Sequence, residues 1–397
     1  MLAWSFAMVG KEFKPEKMVR SDWDEVLKIR PLKDIPKRAL GKDVSFWNEW
    51  MSHAVNDDFW KRQDWHRHNK SIHVPAMIVS GWYDDNGMGT TEALDTVSDY
   101  GYQDKKVILG PWMHKANTTR DIQGVAFGDN ALRYDMDYYF QQWFDRKLKS
   151  MDNGIDTASP IEYYITGENQ WATAKQWSPE NVDWLHAYLS SNGNANSANG
   201  DGELLFDPNI TDGYDEYIYD PMNPAPHLID MSENEIGVPA NYREVEKRED
   251  VIIYDSQPLD APITIAGDVL VNFYASSSAK DKDWIVRLTD VDPAGNSVKL
   301  VEGVLRARYR RGFDKEVMLE PNKIEKYVIR TSKIANTFEK GHRIRLTITS
   351  SAENFIFPNT NTGEDPAGDV EVVKATQRIY HQVNHLSYVQ LPVLWGT

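Results

Sequence analysis

The chain of 397 residues contains no cysteine. That excludes disulfides, thiolate metal sites and a cysteine nucleophile within it. It leaves the compartment open, because a cysteine-free chain is stable in either redox environment. No apolar run approaches the ~18–20 residues of a membrane span, so no membrane partner is expected. Basic charge is also scarce: 44 Lys and Arg against 60 Asp and Glu leave a net charge of −16. Phosphate-backbone binding draws its affinity from basic clusters, so no nucleic-acid partner is expected either. The densest basic stretch, Arg306 to Arg311 (RARYRR), is short and reads as a solvated strand edge. Met1 to Phe6 has neither the basic region nor the cleavage site of a signal peptide. Aromatics, by contrast, are plentiful: 14 Trp, 19 Tyr and 13 Phe supply ample core for two or three domains.

The hydrophobic pattern changes twice along the chain. Residues 1–70 carry apolar positions at helical spacing, as where Phe46, Trp47, Trp50, Met51 and Val55 share one side of a helix within Val44–Asn56. Asp43 or Ser45 is placed to cap it, and Asp57-Asp58 introduces a further short aromatic helix. From residue 74 strand and helix alternate. Val74–Ser80 and Lys106–Leu109 read as buried parallel strands, and Thr90–Tyr100 as a helix between them. Tyr134–Lys149 reads as a helix burying Tyr138, Tyr139, Trp143, Phe144 and Leu148 on one face. This is an α/β layer.

Beyond Asn153 the periodicity becomes that of short strands separated by Gly, Pro and Asn, which predicts a β-sandwich or jelly roll. The predicted strands are Ile161–Thr166, Trp184–Leu189, Val251–Tyr254, Ile263–Ile265, Leu270–Ala275, Trp284–Asp290, Val298–Leu305, Lys326–Thr331 and Arg343–Thr349. The polar run Ser190–Gly202 reads as a flexible surface loop. The fold class expected is therefore α/β plus all-β.

Two motifs fall at the ends of the predicted parallel strands: Gly81-Trp82-Tyr83-Asp84 and Gly110-Pro111-Trp112-Met113-His114. Open α/β sheets bind ligands beyond the carboxyl ends of their strands. An Asp after one strand and a His after the next has the order of the last two members of a Ser-Asp-His triad. There an imidazole takes the serine proton, while the carboxylate holds its tautomer and stabilises the imidazolium. A strand-end Asp also caps helices and a lone His is commonly structural, and Asp85 rivals Asp84 for the same role.

At these motifs the chain resembles the α/β-hydrolases that include cocaine esterase, α-amino-acid ester hydrolases, cephalosporin acylases and X-Pro dipeptidyl-peptidases. G-W-Y-D is similar to the family's catalytic-acid loop and G-P-W-x-H to its catalytic-histidine loop. Trp143–Lys149 is similar to the helix that follows. Tyr219-Asp220-Pro221, Arg243–Glu246, Ala275–Ser278, Gly303–Arg310, Gly341–Leu346 and Asn359–Gly363 resemble stretches of its β domain. The resemblance implies a helical cap remnant (1–70), the C-terminal part of a hydrolase domain (71–152) and a galactose-binding-like jelly roll (153–397). It implies serine-type hydrolysis of a small acyl ester, amide or peptide through an acyl-enzyme. His114 is then the base and Asp84 its orienter. Trp82, Tyr83, Trp112 and Met113 would line an acyl pocket, joined by cap residues such as Trp47 or Trp60. No cofactor and no metal is expected.

One part of that pattern is missing. The family's serine belongs on a tight strand-to-helix turn upstream of the acid, together with the oxyanion-hole donors. The only G-x-S is Gly295-Asn296-Ser297, downstream of His114 in an apparent hairpin turn. Ser5 has small neighbours in Ala3-Trp4-Ser5-Phe6-Ala7, but too few residues precede it to form a strand. The expectation is a C-terminal portion of a serine hydrolase, inactive alone. An open sheet edge should then favour an N-terminal partner chain or self-association. The competing expectation is a non-catalytic β-sandwich module for binding or assembly.

The ester hydrolases acting on α-amino acids carry acidic residues just after the catalytic Asp. Here Asn86 and Gly87 stand there, with Asp85 and Glu92 nearby, which argues against a free α-amino group on the substrate. His342 reads as structural, and His66, His68 and His73 lack metal-ligand spacing.

Overall fold

The computed structural model describes residues 2–84, 87–229, 231 and 239–395. The first 70 residues hold five short helices, α1 (Leu2–Ala7), α2 (Trp23–Leu27), α3 (Ile35–Leu40), α4 (Ser45–Met51) and α5 (Asp58–Lys61). None is long enough to be stable alone. They hold together through a shared core that includes Phe6, Trp23, Ile35 and Trp47, against which Phe357 of the β region packs. Asp57 caps α5 by accepting a hydrogen bond from the Phe59 amide at 2.9 Å. Neither Asp43 nor Ser45 caps α4; its cap position is Val44, a buried apolar residue. The helix stops at Met51, so Val55 lies beyond the predicted face.

The α/β layer begins with β1 (Ala76–Gly81), followed by α6 (Gly87–Thr96) and β2 (Lys105–Gly110), which runs parallel to β1. A two-strand hairpin, β3 (Asp121–Ile122) and β4 (Val125–Ala126), precedes α7 (Met136–Lys149). β5 (Ile161–Ile165) then pairs parallel to β2, and β6 (Gln170–Ala174) pairs antiparallel to β5. The sheet order is β1-β2-β5-β6. Ile161–Thr166, expected in the sandwich, therefore extends the smaller sheet. A short apolar run suits either setting, and only the pairing partner decides.

α7 also departs from its expected packing. Trp143 is buried, and Tyr139 packs with Met136 against Met77, Val79 and Ile108. Tyr138, Phe144 and Leu148 are exposed.

The β region comprises β7 (Val182–Ser190), β8 (Glu203–Leu205), β9 (Gly213–Tyr219), β10 (Val251–Asp255), β11 (Ile263–Ser277) and β12 (Asp283–Val291). β13 (Ser297–Arg306), β14 (Glu325–Phe338), β15 (Arg343–Thr349), β16 (Ala375–His381) and β17 (Tyr388–Leu394) complete it. Their hydrogen bonds join all eleven strands into one array, which folds into a β-sandwich. β11 is continuous where two strands were expected, because a bulge between Asp268 and Leu270 bends it without breaking the pairing to β14. Arg306–Arg311 is not a solvated edge. Arg306 pairs with Asp283, Arg308 with Asp281 and Arg310 with Glu325. Among the described helices none is long and apolar enough to cross a membrane.

Ser190–Gly202, expected to be flexible, is anchored at a buried polar cluster. His381 Nε2 lies 2.9 Å from Ser191 Oγ and 3.2 Å from Asp215 Oδ2, and its Nδ1 is 2.7 Å from the Thr211 carbonyl. Asp215 also accepts from Tyr254 at 2.6 Å and from the Ala195 amide at 2.8 Å. Burial alone would lower the His381 pKa, but the Asp215 carboxylate and the Thr211 carbonyl reverse this and raise it. A raised folded pKa adds stability below the unfolded value of ~6.5, and that share is lost as pH rises through the folded value. His381→Gln is therefore expected to destabilise the chain more at about pH 6 than at about pH 9 in urea unfolding. Equal losses at both would contradict a charged His381.

Candidate functional site

β1 and β2 end in register at Gly81 and Gly110, and the chain stays zipped past both ends. The Trp82 amide donates to the Gly110 carbonyl at 3.0 Å, and the Tyr83 amide to the Trp112 carbonyl at 3.1 Å. Glycine is required at both positions by close approach. A Cβ on Gly81 would sit 2.0 Å from the Trp112 carbonyl oxygen, and one on Gly110 would sit 2.2 Å from the Trp112 ring. The two loops therefore leave the sheet side by side, and their next polar residues meet. His114 Nδ1 lies 3.0 Å from Asp84 Oδ1. With the carboxylate ionised, Nδ1–H is the donor, which leaves Nε2 as the basic nitrogen. The Asp84 side chain is 13% exposed and the His114 side chain 55% exposed. Asp85 and Asn86 lie outside the described residues.

A His–Asp contact is not diagnostic in itself, since the described residues hold three others, among them His53 Nδ1 with Asp57 Oδ2 at 2.5 Å in the N-terminal helices. His342 Nδ1 is 2.8 Å from Asp290 Oδ1 between β-sandwich strands, and His381 contacts Asp215 in the buried cluster above. His381 is fully buried and its serine bonds the carboxylate directly, so neither proton transfer nor substrate access is served there. The Asp84–His114 pair differs in lying beyond the carboxyl ends of parallel strands with an accessible imidazole.

The residues expected to line a pocket take two different places. Trp82, Tyr83 and Trp112 are at most 5% exposed and so form the packed layer behind the pair. The Trp82 indole donates to the Tyr164 carbonyl at 2.8 Å and the Trp112 indole to the Ala131 carbonyl at 2.7 Å. Tyr83 stacks on Phe127, and burial pushes its phenol pKa up. Met113 alone of the four is half-buried. Trp47 lines a cavity of about 520 Å³ between the N-terminal helices and the sandwich, with Leu2, Trp50, Met51, Phe355 and Phe357. Among the described residues, its lining includes neither Asp84 nor His114. Trp60 is pinned elsewhere, its indole donating to the His53 carbonyl at 2.9 Å.

Neither candidate serine lies open beside the pair. Ser5 is fully buried in α1, its hydroxyl donating to the Leu2 carbonyl at 2.7 Å. Ser297 is also fully buried, with its Oγ 2.7 Å from both Glu246 Oε1 and Thr289 Oγ1.

Glu92, the other acidic residue noted near the motif, is engaged by the sandwich. Arg330 of β14 forks onto its two carboxylate oxygens at 2.8 Å each. Lys333, whose side chain is fully buried, reaches Glu92 and Asp95 of α6 at 3.2 Å and Asp268 of β11 at 3.3 Å. Burial alone would raise the Glu92 pKa, but Arg330 and Lys333 overcome this and hold it at about 2. This clamp fastens the helix that follows Asp84 to the β-sandwich. No local pattern announces it, because its partners stand about 240 positions apart and each reads as an ordinary surface charge. Lys333→Met is expected to speed amide exchange in α6 by about tenfold, on the order of the worth of one charged hydrogen-bonded contact. Unchanged exchange would show that the packing of Ala93, Leu94 and Val97 suffices.

A parallel layer with a His–Asp pair at its carboxyl end, joined to a β-sandwich, defines an α/β-hydrolase with a C-terminal β domain. The X-Pro dipeptidyl-peptidase model matches residues 1–116, and the model of the X-Pro dipeptidyl-peptidase C-terminal non-catalytic domain matches 153–390. The chain belongs to this family of α/β-hydrolases, which takes in cocaine esterase and the X-Pro dipeptidyl-peptidases. It is 28% identical over 373 residues to the cocaine esterase of Rhodococcus sp., covering 92% of this chain and 64% of that protein. A solved α-amino acid ester hydrolase is 26% identical with a TM-score of 0.80, over 94% of this chain and 64% of that one. An aminopeptidase from a marine sediment thaumarchaeon shares the fold at a TM-score of 0.84 and 24% identity, with the same coverage. The chain thus spans just under two thirds of these relatives.

Proposed function

We propose that this chain supplies the acid–base half and the β-sandwich of a serine-type acyl hydrolase. The supporting observation is the Asp84–His114 pair beyond the parallel strand ends. In the reaction, His114 Nε2 takes the proton of a serine hydroxyl as its oxygen attacks the substrate carbonyl. Asp84 holds the tautomer and stabilises the imidazolium. His114 then returns the proton to the leaving alcohol or amine, and water completes the cycle by hydrolysing the acyl-enzyme with His114 again as base.

The serine comes from a segment outside residues 1–397, since Ser5 and Ser297 are buried and bonded elsewhere. Met113 borders the reacting centre, with Trp82, Tyr83 and Trp112 fixing the loops from behind. The substrate is an ester, amide or peptide acyl group. With Glu92 held by Arg330 and Lys333, a free α-ammonium on that group gains no partner from this residue. The test is hydrolysis of p-nitrophenyl acyl esters by the chain alone and by the chain co-expressed with the N-terminal third of the Rhodococcus cocaine esterase. Turnover is expected only in the second case. Robust hydrolysis by the chain alone, unchanged by Ser5→Ala, would refute the reading.

A further inference from the structure

The loop that carries His114 has few ties to the rest of the molecule. Its start is fixed where the Trp112 carbonyl accepts from the Tyr83 amide at 3.1 Å. From Met113 to Thr118 the chain is in neither helix nor strand, and His114, Lys115, Ala116 and Thr118 are exposed. The contacts of His114 aside, one side chain makes every hydrogen bond that joins this stretch to other described residues. Asn117 Nδ2 donates to the Arg133 carbonyl at 2.6 Å, and Asn117 Oδ1 accepts from the Arg133 amide at 2.7 Å. Thr118 bonds only within the loop, to the Lys115 carbonyl.

The residue type suits the task. A primary amide offers a donor and an acceptor side by side, so it pairs with the N–H and C=O of a single residue, much as a neighbouring strand would. Asn117 also stands at φ +59°, a left-handed conformation that asparagine tolerates better than most residues.

What Asn117 grips is itself held firmly. The Arg133 side chain forks onto Asp135 at 2.8 and 2.7 Å and reaches Glu162 of β5 at 2.5 Å. Its guanidinium lies over the rings of Tyr139 in α7 and Trp171 in β6. The segment before it is pinned by two indoles, Trp112 donating to the Ala131 carbonyl and Trp171 to the Asn130 carbonyl, at 2.7 Å each. β5 pairs with β2, so Asn117 ties the histidine loop back to the sheet from which it emerged.

We infer that Asn117 is a positioning residue, which holds the His114 imidazole at hydrogen-bond distance from Asp84. Its effect on turnover rests on the serine-hydrolase reading above, whereas its effect on the imidazole does not. Position matters here because a shift of ~1 Å in a reacting group costs about 10²-fold in rate.

The first test uses the chain alone and NMR of the imidazole nitrogens at about pH 9, where histidine is neutral. The wild type is expected to show His114 as the single Nδ1–H tautomer that Asp84 selects. Asn117→Gly keeps the left-handed backbone and removes both bonds, so a mixture of tautomers is expected. Ala116→Gly adds backbone freedom one residue earlier but leaves both bonds, and should keep the wild-type tautomer. An unchanged tautomer in Asn117→Gly overturns the inference. So does an equal mixture in Ala116→Gly, since loop stiffness and not the amide would then set the ring.

The second test uses the chain co-expressed with the N-terminal third of the Rhodococcus cocaine esterase. Asn117→Gly should lower kcat by about 10²-fold with KM little changed. Asn117→Asp keeps the acceptor for the Arg133 amide and should lose only about tenfold. An active wild-type complex whose kcat ignores Asn117→Gly also overturns the inference. A wild-type complex without turnover, beside a tautomer that still depends on Asn117 in the chain alone, keeps the positioning role and removes the hydrolase assignment.

Discussion

On the function proposed, His114→Ala is expected to lower kcat of the assembled hydrolase by about 10⁶-fold, the cost of losing a triad member that acts as one unit with its partners. Asp84→Asn lowers it by about 10⁴-fold, because an amide at 3.0 Å from Nδ1 favours the wrong imidazole tautomer. KM is expected to change little in both, since neither side chain is placed to contribute ground-state binding. Asp85→Asn separates the two adjacent acids. The contact of Asp84 with His114 predicts a loss for Asp85→Asn far smaller than for Asp84→Asn. Reversed magnitudes would transfer the orienting role to Asp85. Stopped-flow and steady-state assays on the three variants measure these effects directly.

The second large effect lies in the β-sandwich, remote from the chemistry. Glu302 is almost fully buried and sits 2.7 Å from His227, 2.9 Å from Lys299 and 3.3 Å from Arg287. Burial is the strongest influence on each titrating member. It drives His227 down to about 4, so this imidazole is neutral at pH 7. Burial also works against an ionised Glu302, but its contacts with His227, Lys299 and Arg287 overcome it and hold the carboxyl well below its usual range. Two buried cations thus depend on one carboxylate. Glu302→Ala is expected to cost about 3–5 kcal/mol of unfolding free energy, the usual penalty for leaving buried charge uncompensated. Glu302→Gln, which keeps the volume and an acceptor oxygen, should cost less. Urea denaturation of both variants decides. A loss under about 1 kcal/mol for the alanine variant would mean that water enters and solvates the cluster.

Asp84 and His114 are legible in the sequence because each follows a short apolar run that ends in glycine, and both glycines prove to be demanded by backbone approach to Trp112. The strands around them are legible for the same reason. β9 and β16 escape a pattern reading because polar residues interrupt their aromatic and aliphatic ones with few clear turn signals, and β17 because Pro392 sits inside it. The place of Ile161–Ile165 cannot be read locally, since its composition suits both sheets and only its pairing with β2 assigns it. Trp82, Tyr83 and Trp112 adjoin the pair in sequence, yet they point behind it. Alternation along the loop does not reveal that their polar atoms are taken by Tyr164, Thr166 and Ala131. The Lys333 clamp depends on partners that lie far along the chain.

On the function proposed, these 397 residues hold the base and its orienter but no nucleophile. The most direct measurement is fluorophosphonate labelling of the chain alone and of the co-expressed complex, with the modified serine located by peptide mass mapping. No stoichiometric label is expected on any serine of the chain alone. Label is expected on the upstream segment of the complex, abolished by His114→Ala. Stoichiometric, His114-dependent labelling of a serine within the chain itself would contradict it.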